Sequence, residues 1–332
     1  MMDGDAPPPV PRPTLTSLRT AAASLLGTGV EVVEPLSGGA RRDTYRVVDE
    51  TGARFVVRLD REAASLEKEM AVTLLVGDRV PVAPIVGADL AGELVGVPLT
   101  VSVYAEGVAL DTALSGAGDD EAAALGEAVG RVLGAVGRST FDGPGLLGPT
   151  LRPQPFDLPL PDLLVAMGDR ALGEAAARSA VGGTVADGYR ALLREAAPAL
   201  EAVADEARLV HSDFNGKNLV LGRDAGGAPV VTAVLDWEFA FSGPSLADVG
   251  NMLRRQERMP AAFVDRFVGA FGEHGGGLPA GWRSIAAALD ALALLDFLDR
   301  GTRGEHGAGY TEACSLIEEA VARGDLAPPA PA

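Results

Sequence analysis

Residues 211–218 read HSDFNGKN, and a second polar group, LDWE, follows at residues 235–238. Two apolar runs, LVL and then PVVTAVL, lie between them and are separated by the glycine-rich segment GRDAGGA at residues 222–228. Two such runs on either side of a turn-forming segment predict an antiparallel β-hairpin. Pairing of the two strands would bring Asn218 opposite Asp236 at the open end of the hairpin. The pattern therefore predicts that these two side chains contribute to one site.

The residue types in these segments suit phosphoryl transfer. Asp213 and Asn218 have the His-x-Asp-x-x-x-x-Asn spacing of kinases, in which the aspartate accepts a proton from the attacking hydroxyl and the asparagine binds a metal ion. Asp236 supplies a second carboxylate, and Mg²⁺ prefers carboxylate and amide oxygens as ligands. We therefore predict Asp213 as the base and Asn218 and Asp236 as Mg²⁺ ligands. The alternative interpretation is that these polar residues only form turns beside glycines.

Residues 210–254 resemble the aminoglycoside phosphotransferase and choline kinase-like family, the small-molecule relatives of the protein kinases. Besides HSDFNGKN, the similarity covers LDWEFA at residues 235–240, Gly243 with Pro244, and LADVG at residues 246–250. The resemblance implies an α+β, bilobal protein kinase-like fold, with a small antiparallel β-sheet lobe that carries one helix and a larger, mainly helical lobe. It also implies ATP or GTP as the phosphoryl donor and a hydroxyl of a small molecule as the acceptor.

The resemblance implies roles for the residues around the base as well. His211 would brace the catalytic loop, and Asp248 would accept hydrogen bonds from the backbone of that loop. Asn215 stands where related enzymes place a residue near the transferred phosphate. The predicted catalytic set is therefore Asp213, His211 and Asn215, with Asp248 as structural support.

The length of the chain and its patterning predict two lobes. A chain of 332 residues is long enough for each lobe to bury its own core. We predict an N-terminal nucleotide-binding lobe at residues 14–106 and a C-terminal catalytic and substrate lobe at residues 107–326. The proline-rich ends, residues 1–13 and 327–332, are expected to be disordered tails.

A Ser-Gly-Gly segment between the first two predicted strands is similar to the family's nucleotide-covering loop. Glycine lets backbone N–H groups approach phosphate oxygens without a Cβ in the way. Ser37, Gly38 and Gly39 are therefore predicted to contact the nucleotide. A tight turn between two strands is the alternative interpretation. The family often has asparagine where this chain has Arg42, and the role of Arg42 stays open.

Arg58 occupies the place on the third predicted strand where a protein kinase has the lysine that grips the nucleotide phosphates. Arginine stays charged and can bind phosphate through two N–H groups. Glu69 is its predicted ion-pair partner, with Glu67 as the second choice, and a surface pair of little energetic value is the alternative interpretation. The backbone around Ser102 and Tyr104 is predicted to contact the base, which does not distinguish ATP from GTP.

Three carboxylates lie in the almost entirely apolar helical pattern of residues 283–300. Such a helix is expected to be buried, and a buried carboxylate needs a partner. Asp290, Asp296 and Asp299 therefore pair with arginines, or one or two of them face the cleft and bind an amine of the acceptor. The predicted acceptor-binding residues are Asp296 and Asp299, together with Glu238 beside the metal ligand.

The composition of the chain limits the classes of molecule that it is expected to bind. The formal net charge of −18 argues against nucleic acid, because phosphate contacts need clustered Lys and Arg. The charge favours a cationic acceptor such as an aminoglycoside-like antibiotic, and the alternative interpretation is that it serves only solubility. The single cysteine, Cys314, excludes an internal disulfide, and the acidic N terminus has no basic, apolar signal segment, so we expect a cytoplasmic protein. No apolar run reaches the length of a membrane span, so no membrane partner is expected. The oligomeric state is not indicated.

Several functions are compatible with these patterns. The leading one is a Mg²⁺-dependent small-molecule kinase, which acts either in antibiotic resistance or in the metabolism of an amino alcohol, a sugar or an amino acid. A nucleotide-binding regulatory module without catalysis is the alternative from another class. The presence of Asp213, Asn218 and Asp236 together favours an active enzyme over such a module. An interaction scaffold would need neither nucleotide nor Mg²⁺.

Overall fold

The computed structural model describes residues 12–36, 43–275, 277–304 and 307–331. The nucleotide-covering loop predicted at Ser37, Gly38 and Gly39, together with Arg42, lies outside these ranges and stays a prediction. Among the helices of the described ranges, none is both long and apolar enough to cross a membrane.

A five-stranded antiparallel sheet and two helices form the small lobe. In chain order these elements are α1 (Leu15–Leu26), β1 (Val30–Pro35), β2 (Thr44–Asp49), β3 (Arg54–Leu59), α2 (Ala63–Val76), β4 (Ile85–Asp89) and β5 (Leu99–Val103). The strands lie in the order β1–β2–β3–β5–β4. Helix α2 is the helix predicted after the third strand, and α1, which packs against β1, is a second helix in this lobe.

Buried apolar side chains alternate with more exposed ones along the strands, which gives this sheet one buried face. Val47 of β2 and Val57 and Leu59 of β3 point into a core that Leu18 of α1 also enters. Because successive side chains of a strand point to opposite faces, burial of Val57 and Leu59 directs Arg58 to the other face of the sheet. The small-lobe core therefore positions the predicted phosphate-binding cation.

The large lobe is mainly helical. Its first half contains β6 (Val108–Ala109), α3 (Leu110–Leu114), α4 (Asp119–Val136), β7 (Gly145–Leu147), β8 (Pro153–Gln154), α5 (Leu160–Ala171), α6 (Ala175–Val181) and α7 (Gly183–Ala196). Its second half contains β9 (Arg208–Val210), β10 (Leu219–Arg223), β11 (Pro229–Val234), β12 (Phe241–Gly243), α8 (Leu246–Leu253), α9 (Ala261–Glu273), α10 (Trp282–Thr302) and α11 (Ala308–Arg323). Short 3₁₀ helices at Ala197–Val203, Trp237–Phe239 and Gln256–Arg258 connect these elements. Two small sheets, β11–β10–β6 and β8–β7–β12–β9, complete the lobe.

The antiparallel pair β10–β11 is the hairpin predicted from the two apolar runs. Its polar turn is closed by Asp224, whose Oδ1 accepts hydrogen bonds from the backbone N–H groups of Gly226 at 2.8 Å and Ala228 at 2.9 Å. At the other end, the N–H of Leu235 donates to the carbonyl of Asn218 at 2.9 Å. Asn218 therefore lies opposite the residue that precedes Asp236, and both metal-ligand candidates stand at the open end of the hairpin.

Helices α4 and α9 pack closely because α4 presents glycines to its neighbour. A Cβ on Gly126 would lie 2.4 Å from the carbonyl oxygen of Phe263, and a Cβ on Gly130 would lie 2.3 Å from that of Phe267. Both distances are shorter than real Cβ contacts, and the obstructing atoms belong to backbone. Helix α4 also packs on β11. The close packing of α4 on α9 therefore holds in place the helix against which the hairpin β10–β11 packs.

Gly130→Ala is expected to lower the free energy of unfolding by about 1–3 kcal/mol, because overpacking against a backbone carbonyl outweighs the helix-propensity gain of about 1 kcal/mol. Gly269→Ala in α9 is the matched control, since a Cβ there meets no described atom within 4 Å, and it should raise stability. Urea unfolding followed by circular dichroism measures both variants. Equal shifts of the same sign would contradict the packing argument.

Candidate functional site

The carboxylate of Asp213 is held from two sides by asparagine amides. Asn215 Nδ2 donates to its Oδ1 at 2.7 Å, and Asn218 Nδ2 donates to its Oδ2 at 2.7 Å. Asn218 Nδ2 also donates to the backbone carbonyl of Asp213 at 2.9 Å. The side chain of Phe214 is buried beneath this loop. The structure therefore brings the three predicted residues together and gives the carboxylate one orientation.

The surroundings of Asp213 favour a carboxylate that can take up a proton. Burial raises the pKa of Asp213, while the hydrogen bond from Asn218 and the positive charge of Arg254 lower it, and the negative charge of Asp236 raises it again. A positioned base works best when its pKa lies nearer to the working pH than that of a free carboxylate. The site thus has a proton acceptor in a partly desolvated environment.

His211 is a buried, neutral part of the framework. Burial lowers the pKa of His211 to about 4, so the imidazole is uncharged at neutral pH. The N–H of Asp213 donates to Nδ1 at 3.2 Å, which places the imidazole proton on Nε2, and Nε2 donates to the carbonyl of Leu235 at 2.8 Å. Its ring packs on that of Trp237, with centroids 4.5 Å apart. His211 therefore links the catalytic loop to the segment that carries Asp236, as a brace would.

Asp248 in the first turn of α8 binds the backbone at the start of the catalytic loop. Its Oδ2 accepts from the N–H of His211 at 2.7 Å and its Oδ1 from the N–H of Ser212 at 2.8 Å. Ser212 has a φ of 70°, a left-handed conformation that costs a non-glycine residue about 1–3 kcal/mol. Burial raises the pKa of Asp248 to about 7, although the two N–H donors lower it. The carboxylate holds a strained backbone in place.

Asp236 and Asn218 offer oxygen atoms to a cation at one end of the hairpin. Because Asn218 uses its Nδ2 for Asp213, its amide oxygen is left to serve other ligands. Asp236 has φ 63° and ψ 62°, a left-handed conformation that turns the chain from β11 into the following 3₁₀ helix. Within the described ranges, no group of three or more His, Cys, Asp or Glu could hold a metal. An amide and a carboxylate do fit Mg²⁺, which takes most of its other ligands from water and phosphate.

Arg58 joins the two lobes. Its Nη1 donates to Glu69 Oε1 at 2.6 Å, and its Nη2 donates to Asp236 Oδ1. Both Arg58 and Glu69 are mostly buried, with 17% and 13% of their side chains exposed. Burial disfavours the cation, but Glu69 and Asp236 together raise the pKa of Arg58, so it remains charged. The structure pairs Arg58 with Glu69, the preferred partner from the sequence, and adds a contact to the metal-ligand candidate.

The segment predicted to contact the base lies at the C-terminal end of β5, the last strand of the small lobe in chain order. Ser102 lies in β5 and pairs with Val56 on one side and Ile85 on the other. The N–H of Tyr104 donates to the carbonyl of Arg54 at 3.0 Å, and the Arg54 guanidinium lies 5.2 Å from the centroid of the Tyr104 ring. These groups already have partners within the protein, so contact between this segment and a base stays a prediction.

Two of the three carboxylates on α10 are buried and pair with arginines. Arg254 binds Asp290 with two N–H groups, at 2.9 Å to Oδ2 and 2.7 Å to Oδ1. Asp299 lies 3.4 Å from Arg170 and also pairs with Arg303. Both carboxylates therefore have the arginine partners that were the alternative to acceptor binding.

Asp296, the third carboxylate of α10, pairs with an arginine of the same helix. Its side chain is 54% exposed and lies 3.1 Å from Nε of Arg300. The Arg300 guanidinium is 5.9 Å from the centroid of Phe239, which shares its 3₁₀ helix with Glu238. Helix α10 thus comes close to the turn that follows the metal-ligand candidate. Acceptor binding by Asp296, Asp299 and Glu238 stays a prediction.

Two cations near the site were not predicted as functional from the sequence. The charge of Arg254 acts on Asp213, and Lys68 of α2 interacts with the charge of Glu238. Lys68 has a sequence signal, because it directly precedes Glu69 and is one of two lysines among the 28 Lys and Arg residues of the chain. No local pattern marks Arg254, since only the packing of α8 against α10 brings it to the site.

Comparison with known protein families gives a match over most of the chain. A family model described as "Phosphotransferase enzyme family" matches residues 32–288. None of the curated proteins compared with the chain matches it.

Solved structures share the fold. Aminoglycoside phosphotransferase APH(4)-Ia is 21% identical, with 94% of this chain and 99% of that chain covered and a TM-score of 0.68. The GDP and kanamycin complex of APH(2")-IIia is 15% identical, with 93% and 99% covered and a TM-score of 0.70. A candidate fructosamine-3-kinase from Thermobifida fusca is 18% identical, with 93% and 100% covered and a TM-score of 0.61. The predicted α+β, bilobal kinase-like fold is confirmed.

Proposed function

The chain belongs to the phosphotransferase enzyme family, and we propose that it is a Mg²⁺-dependent small-molecule kinase that transfers the γ-phosphoryl group of ATP or GTP to a hydroxyl of a small, cationic acceptor. One observation carries the proposal: Asp213, Asn218 and Asp236 lie together at one end of a hairpin, and Arg58 donates a hydrogen bond to Asp236. These are the groups that phosphoryl transfer requires.

Each group has a distinct task in the proposed reaction. Asn218 and Asp236 would hold Mg²⁺, which would neutralise negative charge on the nucleotide phosphates. Arg58, oriented by Glu69, would bind phosphate oxygens and stabilise their negative charge. Asp213 Oδ1 or Oδ2 would accept the proton of the acceptor hydroxyl. The amides of Asn215 and Asn218 keep that carboxylate in position, which lowers the entropy lost on reaching the reactive arrangement.

The acceptor and the cellular setting are part of the proposal. The net charge of −18 and the predicted acceptor-binding carboxylates Glu238 and Asp296 favour an acceptor with amines, such as an aminoglycoside-like antibiotic, and the proposed reaction would then confer resistance. The same charge disfavours nucleic acid as a partner. A single cysteine suits a cytoplasmic protein.

The proposal is tested by measuring ADP or GDP release with a panel of acceptors. The panel contains aminoglycosides, other cationic antibiotics, choline-like alcohols, amino acids and neutral sugars. We expect release that depends on a cationic acceptor and a product whose mass shows one added phosphoryl group. Activity confined to neutral sugars would overturn the cationic acceptor. Nucleotide binding without turnover for any acceptor would instead favour the regulatory module.

Asp236→Asn is expected to raise the Mg²⁺ concentration for half-maximal rate by about 10- to 100-fold, because an amide binds a hard cation less strongly than a carboxylate. A Mg²⁺ titration at saturating nucleotide measures the change, and chelation should abolish turnover of the wild type. Asp224→Asn is the matched control, since its carboxylate closes the turn at the far end of the same hairpin. An unchanged Mg²⁺ requirement in Asp236→Asn would remove Asp236 from the metal site.

A further inference from the structure

Helix α2 of the small lobe is packed into the core of the large lobe. Val72 and Val76 of this helix, and Val80 just after it, are buried in the same apolar core as the helices of the large lobe. The helix also contacts β5 and the 3₁₀ helix Trp237–Phe239. By contrast, α1 packs into the core of the small-lobe sheet. The position of α2, and of Glu69 on it, therefore depends on how the helix is held on the large lobe.

Arg79 makes a polar contact at the C-terminal end of this helix. It lies three residues after α2, and its Nη2 donates to the carbonyl of Leu75 at 3.1 Å and to Oγ of Ser139 at 3.0 Å. Its Nη1 lies 3.7 Å from Oδ1 of Asp78. A cation beside the last carbonyls of a helix is favourable, because the helix dipole is negative there. Arg79 therefore joins the end of α2 to Ser139 of the large lobe.

Ser139 relates this contact to the strand before the catalytic loop. The residue is buried, and a buried hydroxyl is normally hydrogen-bonded. Its carbonyl accepts a hydrogen bond from the N–H of Leu209 in β9 at 2.8 Å. Leu209 lies two residues before His211, which begins the catalytic loop. The hydrogen bonds of Ser139 therefore link the end of α2 to the start of that loop.

The backbone that follows α2 makes a second contact of this kind. The carbonyl of Pro81 accepts a hydrogen bond from the N–H of Val234 in β11 at 2.8 Å. Val234 lies two residues before Asp236. The segment 79–81 thus contacts both strands that lead into the candidate site. From its C-terminal end, α2 extends back by about two turns to Glu69, so contacts at this end set the direction of the helix.

We propose that Arg79 is a positioning residue, whose hydrogen bonds to Leu75 and Ser139 hold α2 on the large lobe so that Glu69 keeps Arg58 directed at the nucleotide phosphates. Its effect on the nucleotide passes through Glu69, which accepts a hydrogen bond from Arg58 at 2.6 Å. The inference rests on the proposed function in that Arg58 binds phosphate, whereas the hold of Arg79 on α2 does not depend on that function.

Arg79→Leu is expected to weaken binding of Mg²⁺–ADP by about three- to ten-fold, the range for residues that act on a site through packed elements. Arg79→Lys can still donate to Ser139 and should recover most of the affinity. Isothermal titration calorimetry measures the affinity, and thermal unfolding shows whether each variant is folded. Arg138→Leu is the matched control, because Arg138 is next to Ser139 but donates to the carbonyl of His274 within the large lobe. The control should bind Mg²⁺–ADP like the wild type, and equal affinity of Arg79→Leu would overturn the proposal.

A double-mutant cycle with Glu69 separates positioning from a general loss of stability. Glu69→Gln alone should weaken binding of Mg²⁺–ADP, since it removes the carboxylate that orients Arg58. If Arg79 acts through Glu69, adding Arg79→Leu to Glu69→Gln should cause little further loss. Losses that add in the double variant would overturn the proposal, because Arg79 would then affect the nucleotide by another route.

Pulsed electron paramagnetic resonance tests the hold on α2 without nucleotide. Cys314→Ser removes the native cysteine, and Leu74→Cys on α2 with Ala191→Cys on α7 supplies two exposed positions for spin labels. We expect a narrow distribution of distances between the labels and a broader one after Ser139→Ala, which removes the acceptor of Arg79 without changing the charge. An unchanged distribution would overturn the proposal. If the wild type does not bind Mg²⁺–ADP, the proposed function fails, and this measurement still decides whether Arg79 holds α2.

Discussion

Asp213→Asn should lower kcat by about 10²- to 10⁴-fold, the range that a positioned general base contributes. The asparagine amide cannot accept the proton of the acceptor hydroxyl. It also turns an N–H₂ group toward Asn215 or Asn218, so one of the two hydrogen bonds that orient the side chain is lost. Affinity for nucleotide should change little, because the described contacts of the Asp213 carboxylate lie within the catalytic loop. Steady-state release of ADP or GDP gives kcat, and calorimetry gives the nucleotide affinity.

The control for this variant is another aspartate of the same region. Asp224 accepts two backbone hydrogen bonds in the hairpin turn, and Asp224→Asn keeps an acceptor oxygen there. It should therefore retain wild-type kcat. Full activity of Asp213→Asn would exclude Asp213 as the base. A parallel loss of nucleotide affinity would assign it to nucleotide binding.

Asp248→Ala is expected to lower the free energy of unfolding by about 3–5 kcal/mol, because it leaves two buried N–H groups without a hydrogen-bond acceptor. These are the N–H groups of His211 and Ser212, and the strained φ of Ser212 depends on them. The catalytic loop should loosen, so kcat should fall with stability. Urea unfolding followed by circular dichroism measures the change. Asp187→Ala, which removes an exposed carboxylate of α7, should stay close to the wild type.

The carboxyl group of Asp248 also makes the free energy of unfolding depend on pH. Its pKa is raised from 3.8 to about 7 in the folded state, so between these values the folded protein holds a proton that the unfolded chain has released. This contribution to stability is fully present below pH 4 and is lost as the pH rises toward 7. In Asp248→Asn that part of the pH dependence should be absent. An identical slope in both proteins between pH 4 and 7 would show that Asp248 is already ionised.

Much of the site could be predicted because its geometry is local. Asp213, Asn215 and Asn218 lie within one loop, and a hairpin of ordinary length brings Asp236 to them. Arg58 and Glu69 are separated by only one turn and part of a helix. In each case, a β-strand or turn pattern over a few residues limits where the side chains can lie.

The remaining contacts depend on how the elements pack. Arg58 and Asp236 are 178 positions apart, and Asp299 and Arg170 are 129 apart, so no local pattern relates them. The apolar pattern of α10 indicates that its carboxylates need partners, but it does not distinguish arginines from the acceptor as those partners. Packing of α10 against α8 and α5 gives Asp290 the partner Arg254 and Asp299 the partner Arg170, whereas Arg303 pairs with Asp299 from four residues along the chain.

The amino-acid sequence by itself determined the class of enzyme, a phosphotransferase, because HSDFNGKN and LDWE have the residue types and spacing that are typical of such enzymes. Only the tertiary structure decided which small-lobe residues contact the segment that carries Asp236. It placed Arg58 on Asp236 and α2 on the turn that carries Glu238, which also gave Lys68 its partly buried position. The physical reason is that spacing constrains neighbours along the chain, whereas charges on separate lobes meet only after both cores have packed.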